Sequence, residues 1–343
     1  MASNTEILRK LDFGKVDAES EQRLAERFVR TQGFDNISDE DKLIILGPKG
    51  AGKSAIFRLF TEYTEETKQI LKEDFPDNAH IIKALGGDDV KSVDDRSLEE
   101  IQQKDDFSYE KFWRIYIGLK TASKLGEKGY TSDGELGDVL RAFNEQPDWR
   151  IIPVLKSFWQ KIVGDPPSDG SISYGKFSLQ FNNNDTLDIG RLLEKEQDLL
   201  EQNNEKVWLM LDRIDELRSR EIEERNKLLE ALFRVQINFM GRFDNIKLKI
   251  FLRTDIWSEL SFTNKSHLVD KRVRLEWNDT QLLRMINKRM LQSVEEYLDQ
   301  DIDIEEIQKY DRESQERIFY SVFEDQVYSG PREADLFDWM TKR

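Results

Sequence analysis

The feature that most constrains this chain is a short glycine-rich stretch, Gly47-Pro48-Lys49-Gly50-Ala51-Gly52-Lys53-Ser54, which fits the pattern G-x-x-x-x-G-K-[ST]. It follows an apolar run, Leu43-Ile44-Ile45-Leu46, that is bounded by turn residues and reads as a buried strand. From Ala55 to about Leu71 the spacing predicts a helix, with Ile56, Leu59 and Phe60 on one face. Strand, glycine loop and helix in that order are the context in which this pattern cradles phosphate. The glycines let successive amides point inward, Lys53 offers positive charge to the β and γ phosphates, and the Ser54 hydroxyl offers an oxygen to Mg²⁺. The expected nucleotide-binding residues are therefore Gly47, Pro48, Lys49, Gly50, Ala51, Gly52, Lys53, Ser54 and Ala55. Lys49 either touches the γ phosphate or faces solvent.

A magnesium ion held at such a loop needs an acid at the end of a neighbouring strand. Val207-Trp208-Leu209-Met210-Leu211-Asp212 supplies one, so Asp212 and Ser54 are the expected metal residues. Asp215 and Glu216 stand just beyond, where a general base would orient water toward the γ phosphate. Residues 246 to 252 form another apolar run that leads into Arg253, Thr254 and Asp255. If that strand neighbours both motif strands, Arg253 or Thr254 reaches the edge of the phosphate site and detects the γ phosphate. The competing reading of Arg253 is an ion pair with Asp255 or Asp212.

Composition removes other chemistries. The 343 residues include no Cys and two His, His80 and His267, which excludes disulfides, thiolate zinc sites, iron–sulfur ligation and a Cys nucleophile. A reducing cytoplasmic home is the economical expectation. No apolar run approaches the roughly 20 residues of a membrane span, and the N-terminus lacks the apolar core of a signal peptide. With 52 Lys plus Arg against 68 Asp plus Glu the net charge is −16, which disfavours nucleic acid as the principal ligand. Lys265, Lys271, Arg272, Arg274, Arg284, Lys288 and Arg289 form the candidate basic patch.

Strands alternating with helices predict an α/β fold with a mostly parallel sheet covered on both faces. Helices are expected over 5–32, 107–125, 151–163, from about 186, over 216–240 and from 276 to the end; further strands are expected at 80–85 and 176–181. Residues 86–106 and 164–175 read as loops. The expected organisation is a nucleotide-binding domain over 1–275, interrupted by a helical insertion at about 86–175, and a helical lid over 276–343. The chain reaches Arg343 without a helix stop signal, so the lid is expected to continue in a longer protein. The aromatics Phe107, Tyr109, Phe112, Trp113 and Tyr116 are spaced as core residues, against a partner-docking alternative. Arg218, Arg220, Arg234 and Arg242 are candidates for an arginine finger, against solvated helix residues.

The run from Leu209 through Asp212, Asp215 and Glu216 to Leu217 resembles the Walker B signature of NACHT and related STAND ATPases, and the Arg253 element resembles their sensor strand. Leu275-Glu276-Trp277 with Leu282, Leu283 and Arg289 is similar to the start of the helical lid in STAND and AAA+ proteins. Together the glycine loop, the DRIDEL turn and FLRTDIW resemble a bacterial family of stand-alone P-loop ATPases, first named from a cyanobacterial protein, over roughly residues 20 to 290. The resemblance implies a P-loop NTPase fold of the AAA+-like (ASCE) type with ATP and Mg²⁺ as ligands. It assigns Asp212 to the metal, Asp215 or Glu216 to water activation and Arg253 to γ-phosphate sensing, and it sets Phe28, Val29 and Phe34 near the adenine. It further implies an ATP-hydrolysing switch in bacterial defence or signalling, with self-association or a protein effector as partner. Two readings from other classes stand beside it: a DNA-handling AAA+ loader or transposition helper, and a non-catalytic scaffold that keeps ATP as a structural ligand.

Overall fold

Short segments, the central ones largely apolar on both faces, pair into one all-parallel sheet. The computed structural model describes residues 8–15, 17–86, 108–145, 171–174, 177–180, 188–217, 221–294, 306–324, 326–328 and 333–341. In chain order the strands are β1 (Ile44–Gly47), β2 (Ala79–Leu85), a separate hairpin of β3 (Ser171–Tyr174) and β4 (Phe177–Gln180), then β5 (Lys206–Leu211), β6 (Ile246–Arg253) and β7 (Arg272–Arg274). The five-stranded sheet has the order β2-β5-β6-β1-β7. β6 thus lies between β1 and β5, with Gly47 in register with Arg253 and Leu211 in register with Ile250.

Side chains of a strand alternate between faces, and here both faces are buried. Val207, Leu209 and Leu211 of β5 enter one core while Trp208 and Met210 enter the other. The first core is covered by α3 (Tyr109–Glu127), α4 (Gly134–Glu145), α5 (Ile189–Gln202) and α6 (Ile222–Phe239). The second is covered by α1 (Lys53–Glu62), α2 (Thr64–Leu71) and the segment around Phe34. Trp113 of α3 is wholly buried and donates its indole N–H to Leu228 O at 2.9 Å. Truncating it to Ala would cost about 3–5 kcal/mol. Phe112, Trp113 and Tyr116 are therefore core residues that hold α3 on the sheet. Phe107 lies outside the described residues.

After β6 come α7 (Thr254–Glu259), β7 and then α8 (Asp279–Val294), which packs on α9 (Arg312–Val322) through Met290, Leu291, Ile318 and Val322. A hairpin of β8 (Gln326–Tyr328) and β9 (Glu333–Asp335) and a short α10 (Leu336–Thr341) follow. Among the described residues no helix is long and apolar enough to cross a membrane.

Four points of the sequence reading are corrected. Residues 5–32 do not form one helix: among those described, residues 8–10 and Leu24–Arg27 are short helical pieces, Gln32 begins a further turn, and the rest is irregular. Local side-chain bonds compete with the helix there, Asp17 accepting from the Ser20 amide and Glu21 from the amides of Lys15 and Arg23. The region after 276 is not helical throughout, since β8 and β9 pair within it. β7 was not expected at all; with three residues and alternating arginines it takes its extended form from pairing with β1. The expected strand at 176–181 contributes to the β3–β4 hairpin and not to the sheet. The helix expected at 151–163 lies outside the described residues, as do 87–107 and 146–170 of the expected insertion.

Candidate functional site

Gly47, Asp212 and Arg253 come together because β1, β5 and β6 are adjacent parallel strands and each residue stands at its strand's C-terminal end. In open α/β sheets that end is where ligands bind. The glycine loop leaves β1 at Gly47, where an added Cβ would come within 2.9 Å of the Ala51 Cβ, so the close turn excludes a side chain. Gly50 and Gly52 take φ values of +84° and +91°, the left-handed region open to glycine. Around Gly50 an added Cβ would meet nothing within 4 Å, so the loop's mouth is open. α1 starts at Lys53 with no side-chain cap and no acidic residue in its first turn, which leaves its positive dipole end directed at the loop.

Lys53 is partly buried and donates to the carbonyls of Gly47 and Pro48, both at 2.8 Å. Burial pushes its ammonium below its ordinary pKa, opposed by the nearby charges of Asp212 and Asp215 and assisted by Arg253. Asp212 is 2% exposed. Burial pushes its carboxyl up to about 6, against a hydrogen bond from the Ser54 side chain and the charge of Lys53. Asp215, partly buried in the turn after β5, is likewise pushed up by burial, with Arg253 and Lys53 pulling the other way.

The sequence-based site residues therefore divide. Ser54 and Asp212 touch, and Asp215 shares the electrostatic field of Lys53 and Arg253. Glu216 is exposed and engaged by Arg213 at 2.5 Å, so of the two candidate bases Asp215 is the one coupled to Lys53 of the loop. Arg253 pairs with Asp255 at 2.5 and 3.1 Å, the competing reading for that residue, while its charge still acts on Lys53 and Asp215. Lys49 is exposed. Val29 and Phe34 are buried at 2% and 0% exposure. Phe28 is partly buried against Phe34. Arg234 pairs with Glu110 at 2.7 Å and Arg242 with Glu194 at 2.6 Å; Arg218 and Arg220 lie outside the described residues.

Trp277 has a place at the loop that its sequence context does not disclose. Its indole N–H donates to Ala51 O at 3.3 Å, and its ring lies 3.9 Å from an added Cβ at Gly52. The basic patch, in contrast, is largely engaged by neighbouring groups, with Arg274 exposed. Lys265 donates to the carbonyls of Trp257 and Leu260, Lys271 pairs with Asp41, and Arg272 donates to Val269 O. Arg284, Lys288 and Arg289 donate to the carbonyls of Tyr310, Phe28 and Phe13.

The donor set suits a hard divalent cation shared with a phosphate: a hydroxyl and carboxylates, with no thiolate or imidazole beside them. Among the described residues no group of three or more His, Cys, Asp or Glu is arranged to hold a metal alone. Mg²⁺ typically takes one or two carboxylates and completes its shell with substrate phosphate and water, which Ser54 and Asp212 fit.

No family model matches the chain, and no solved structure matches it. The chain is 26% identical over 295 residues, 81% of its length, to an Escherichia coli (strain K12) protein described as "Putative transposon gamma-delta 80.3 kDa protein". It spans 39% of that protein's length.

Proposed function

We propose that the chain is an ATP-binding P-loop ATPase of the AAA+-like, STAND-related type, working as a nucleotide-dependent switch. The observation that carries this reading is the meeting of the glycine loop, the buried Asp212 with its Ser54 partner, and Asp215 at the C-terminal ends of β1 and β5, on either side of β6. In this reading the loop amides, the start of α1 and Lys53 hold the triphosphate of ATP. Ser54 and Asp212 hold Mg²⁺, which when bound neutralises charge on the β and γ oxygens. Asp215 orients the attacking water and takes up its proton, a task helped by burial, which raises its pKa above the ordinary value. Arg253 stabilises the charge of the transferred group. The resemblance to stand-alone bacterial ATPases, a role in defence or signalling, and self-association or a protein effector all belong to this proposal.

A DNA-handling ATPase is the second reading, kept in view by the transposon-associated description of the E. coli relative. It needs outward-facing cations, and most of the basic cluster is engaged internally. The first test is equilibrium binding of Mg²⁺-ATP to the full chain and to Lys53→Ala. Binding by the parent and its loss in the variant support the proposal; equal binding by both defeats it. DNA binding that weakens steeply with salt would move the assignment to the second reading.

A further inference from the structure

Residues 12–15 and 17–30 form a strap that touches three elements of the proposed ATPase at once. From α1, Arg58 donates to the carbonyls of Ala18 and Glu21. From α8, Arg289 donates to Phe13 O at 2.9 Å, Lys288 to Phe28 O at 2.7 Å and Gln292 to Glu26 O at 3.1 Å. Inside the strap the buried Arg27 pairs with the buried Glu21 at 2.9 Å and with Asp12 at 2.9 Å, which keeps the segment stiff. From this framework Glu19 reaches the third element, the turn after β5, and forms an ion pair with Arg213.

Arg213 stands between Asp212 and Ile214, two residues before Asp215, and its φ is +58°. A residue with a side chain is disfavoured there and persists where its surroundings over-determine it. Two carboxylates do so, Glu216 at 2.5 Å and Glu19 from the strap. The turn closes through Glu216 N–H to Arg213 O at 3.0 Å and Leu217 N–H to Ile214 O at 3.3 Å.

We propose that Glu19 is a positioning residue for ATP hydrolysis: by holding Arg213 it fixes the turn that presents Asp215, and α8 sets the place of Glu19 through the strap. The proposal rests on the ATPase reading and deepens it by naming a regulatory link. A shift of α8 alters the geometry at Asp215 without any contact between α8 and the nucleotide, because the strap joins the two. The pair is partly exposed, 42% for Glu19 and 29% for Arg213, so it contributes little to global stability and its loss leaves the chain folded.

The test uses the full chain with Glu19→Ala, Arg213→Gly and the double variant. Gly at 213 keeps the backbone conformation and removes the side chain. Each single change is expected to lower kcat for Mg²⁺-ATP about tenfold with KM held within about twofold, since misplacement of a reacting group acts on turnover. The double variant is expected to be no worse than the more impaired single one, because both remove the same pair. Amide exchange at Glu216 and Leu217, followed without nucleotide, is expected to quicken in Glu19→Ala while the unfolding midpoint stays put. Unchanged kcat with unchanged exchange in Glu19→Ala, or additive losses in the double variant, overturns the proposal. A parent without turnover defeats the ATPase reading instead, and the exchange measurement then still decides whether Glu19 holds the turn.

Discussion

The two ends of the parallel sheet treat their carboxylates, Glu205 and Asp41 at one and Asp212 and Asp215 at the other, in opposite ways. Where β2 and β5 begin, Glu205 accepts from Tyr130 and contacts His80 Nε2 at 2.7 Å; although burial pushes its carboxyl up, these bonds hold it below its ordinary value. Asp41 is lowered by its hydrogen bond and ion pair with Lys271. At the other end the outcome is reversed. Burial prevails over the available partners, so Asp212 and Asp215 are raised and Lys53 is lowered. Two lysines make the contrast specific. Lys249 is fully buried, pushed down to about 7 by burial, and donates to the carbonyls of Ile37, Asp39 and Lys42 while lying 4.0 Å from the centre of the Trp208 ring. It pins the loop before β1 in place, and all of its donors are used. Lys53 is held by two carbonyls and faced by two carboxylates that it does not neutralise. Charge that burial leaves unresolved at the strand ends where ligands bind marks where a further charged group belongs.

The sharpest way to break the contrast is to exchange the fates of the two lysines. Lys53→Ala is expected to lower ATP hydrolysis about 10³-fold or more with little change in the urea midpoint. Lys249→Met is expected to do the converse. It strands the carbonyls of Ile37, Asp39 and Lys42 at a cost of about 3 kcal/mol, read from urea unfolding, while kcat stays within about threefold. If both variants lost stability and kept turnover, the two ends would be equivalent.

Next in size is Asp215→Asn, expected to lower kcat about 10²-fold while leaving ATP affinity intact. A loss of binding instead would make Asp215 a ligand contact and not a base.

Asp212→Asn tests the same end through stability. The folded pKa of Asp212, about 6, lies above the ordinary 3.8, so across that window the native chain keeps a proton that the unfolded chain has released. Stability therefore falls as pH rises through the window, and the contribution lost is not recovered above it. In buffer free of divalent cations at pH 7, the amide should raise the unfolding free energy by about 1–3 kcal/mol and flatten this pH dependence. The same variant should weaken Mg²⁺-dependent ATP binding. The smallest effect is expected for Glu216→Gln, a change of about threefold or less in kcat, because the amide oxygen can still accept from Arg213 Nε and Glu19 still holds the guanidinium.

Much of the sheet was readable because buried parallel strands are continuous apolar runs. Residues 43–46, 207–211 and 246–252 carry that signature, and β1, β5 and β6 form where it stands. The convergence of Gly47, Asp212 and Arg253 follows from strand ends and spacing alone, once β6 lies between the motif strands. The strap was not readable in the same way. Leu8, Leu11, Leu24 and Phe28 repeat at helical intervals, yet the segment's form is set by side-chain bonds to its own backbone and by Arg58 and Arg289 from distant elements. The Glu19–Arg213 pair joins residues 194 positions apart, so no local pattern announces it. β7 is similar: its pairing with β1 creates the strand, and its own three residues do not. Trp277 looked like a lid residue, and only the fold brings its indole to Ala51.

The central claim is that the charge-frustrated end of the sheet hydrolyses ATP. Phosphate release from Mg²⁺-ATP by the full chain, run beside Lys53→Ala and Asp215→Asn, tests it most directly. Turnover by the parent is expected, with none detectable in Lys53→Ala and about 10²-fold less in Asp215→Asn at saturating ATP. Release no faster than the Lys53→Ala background, or equal release by all three chains, contradicts it.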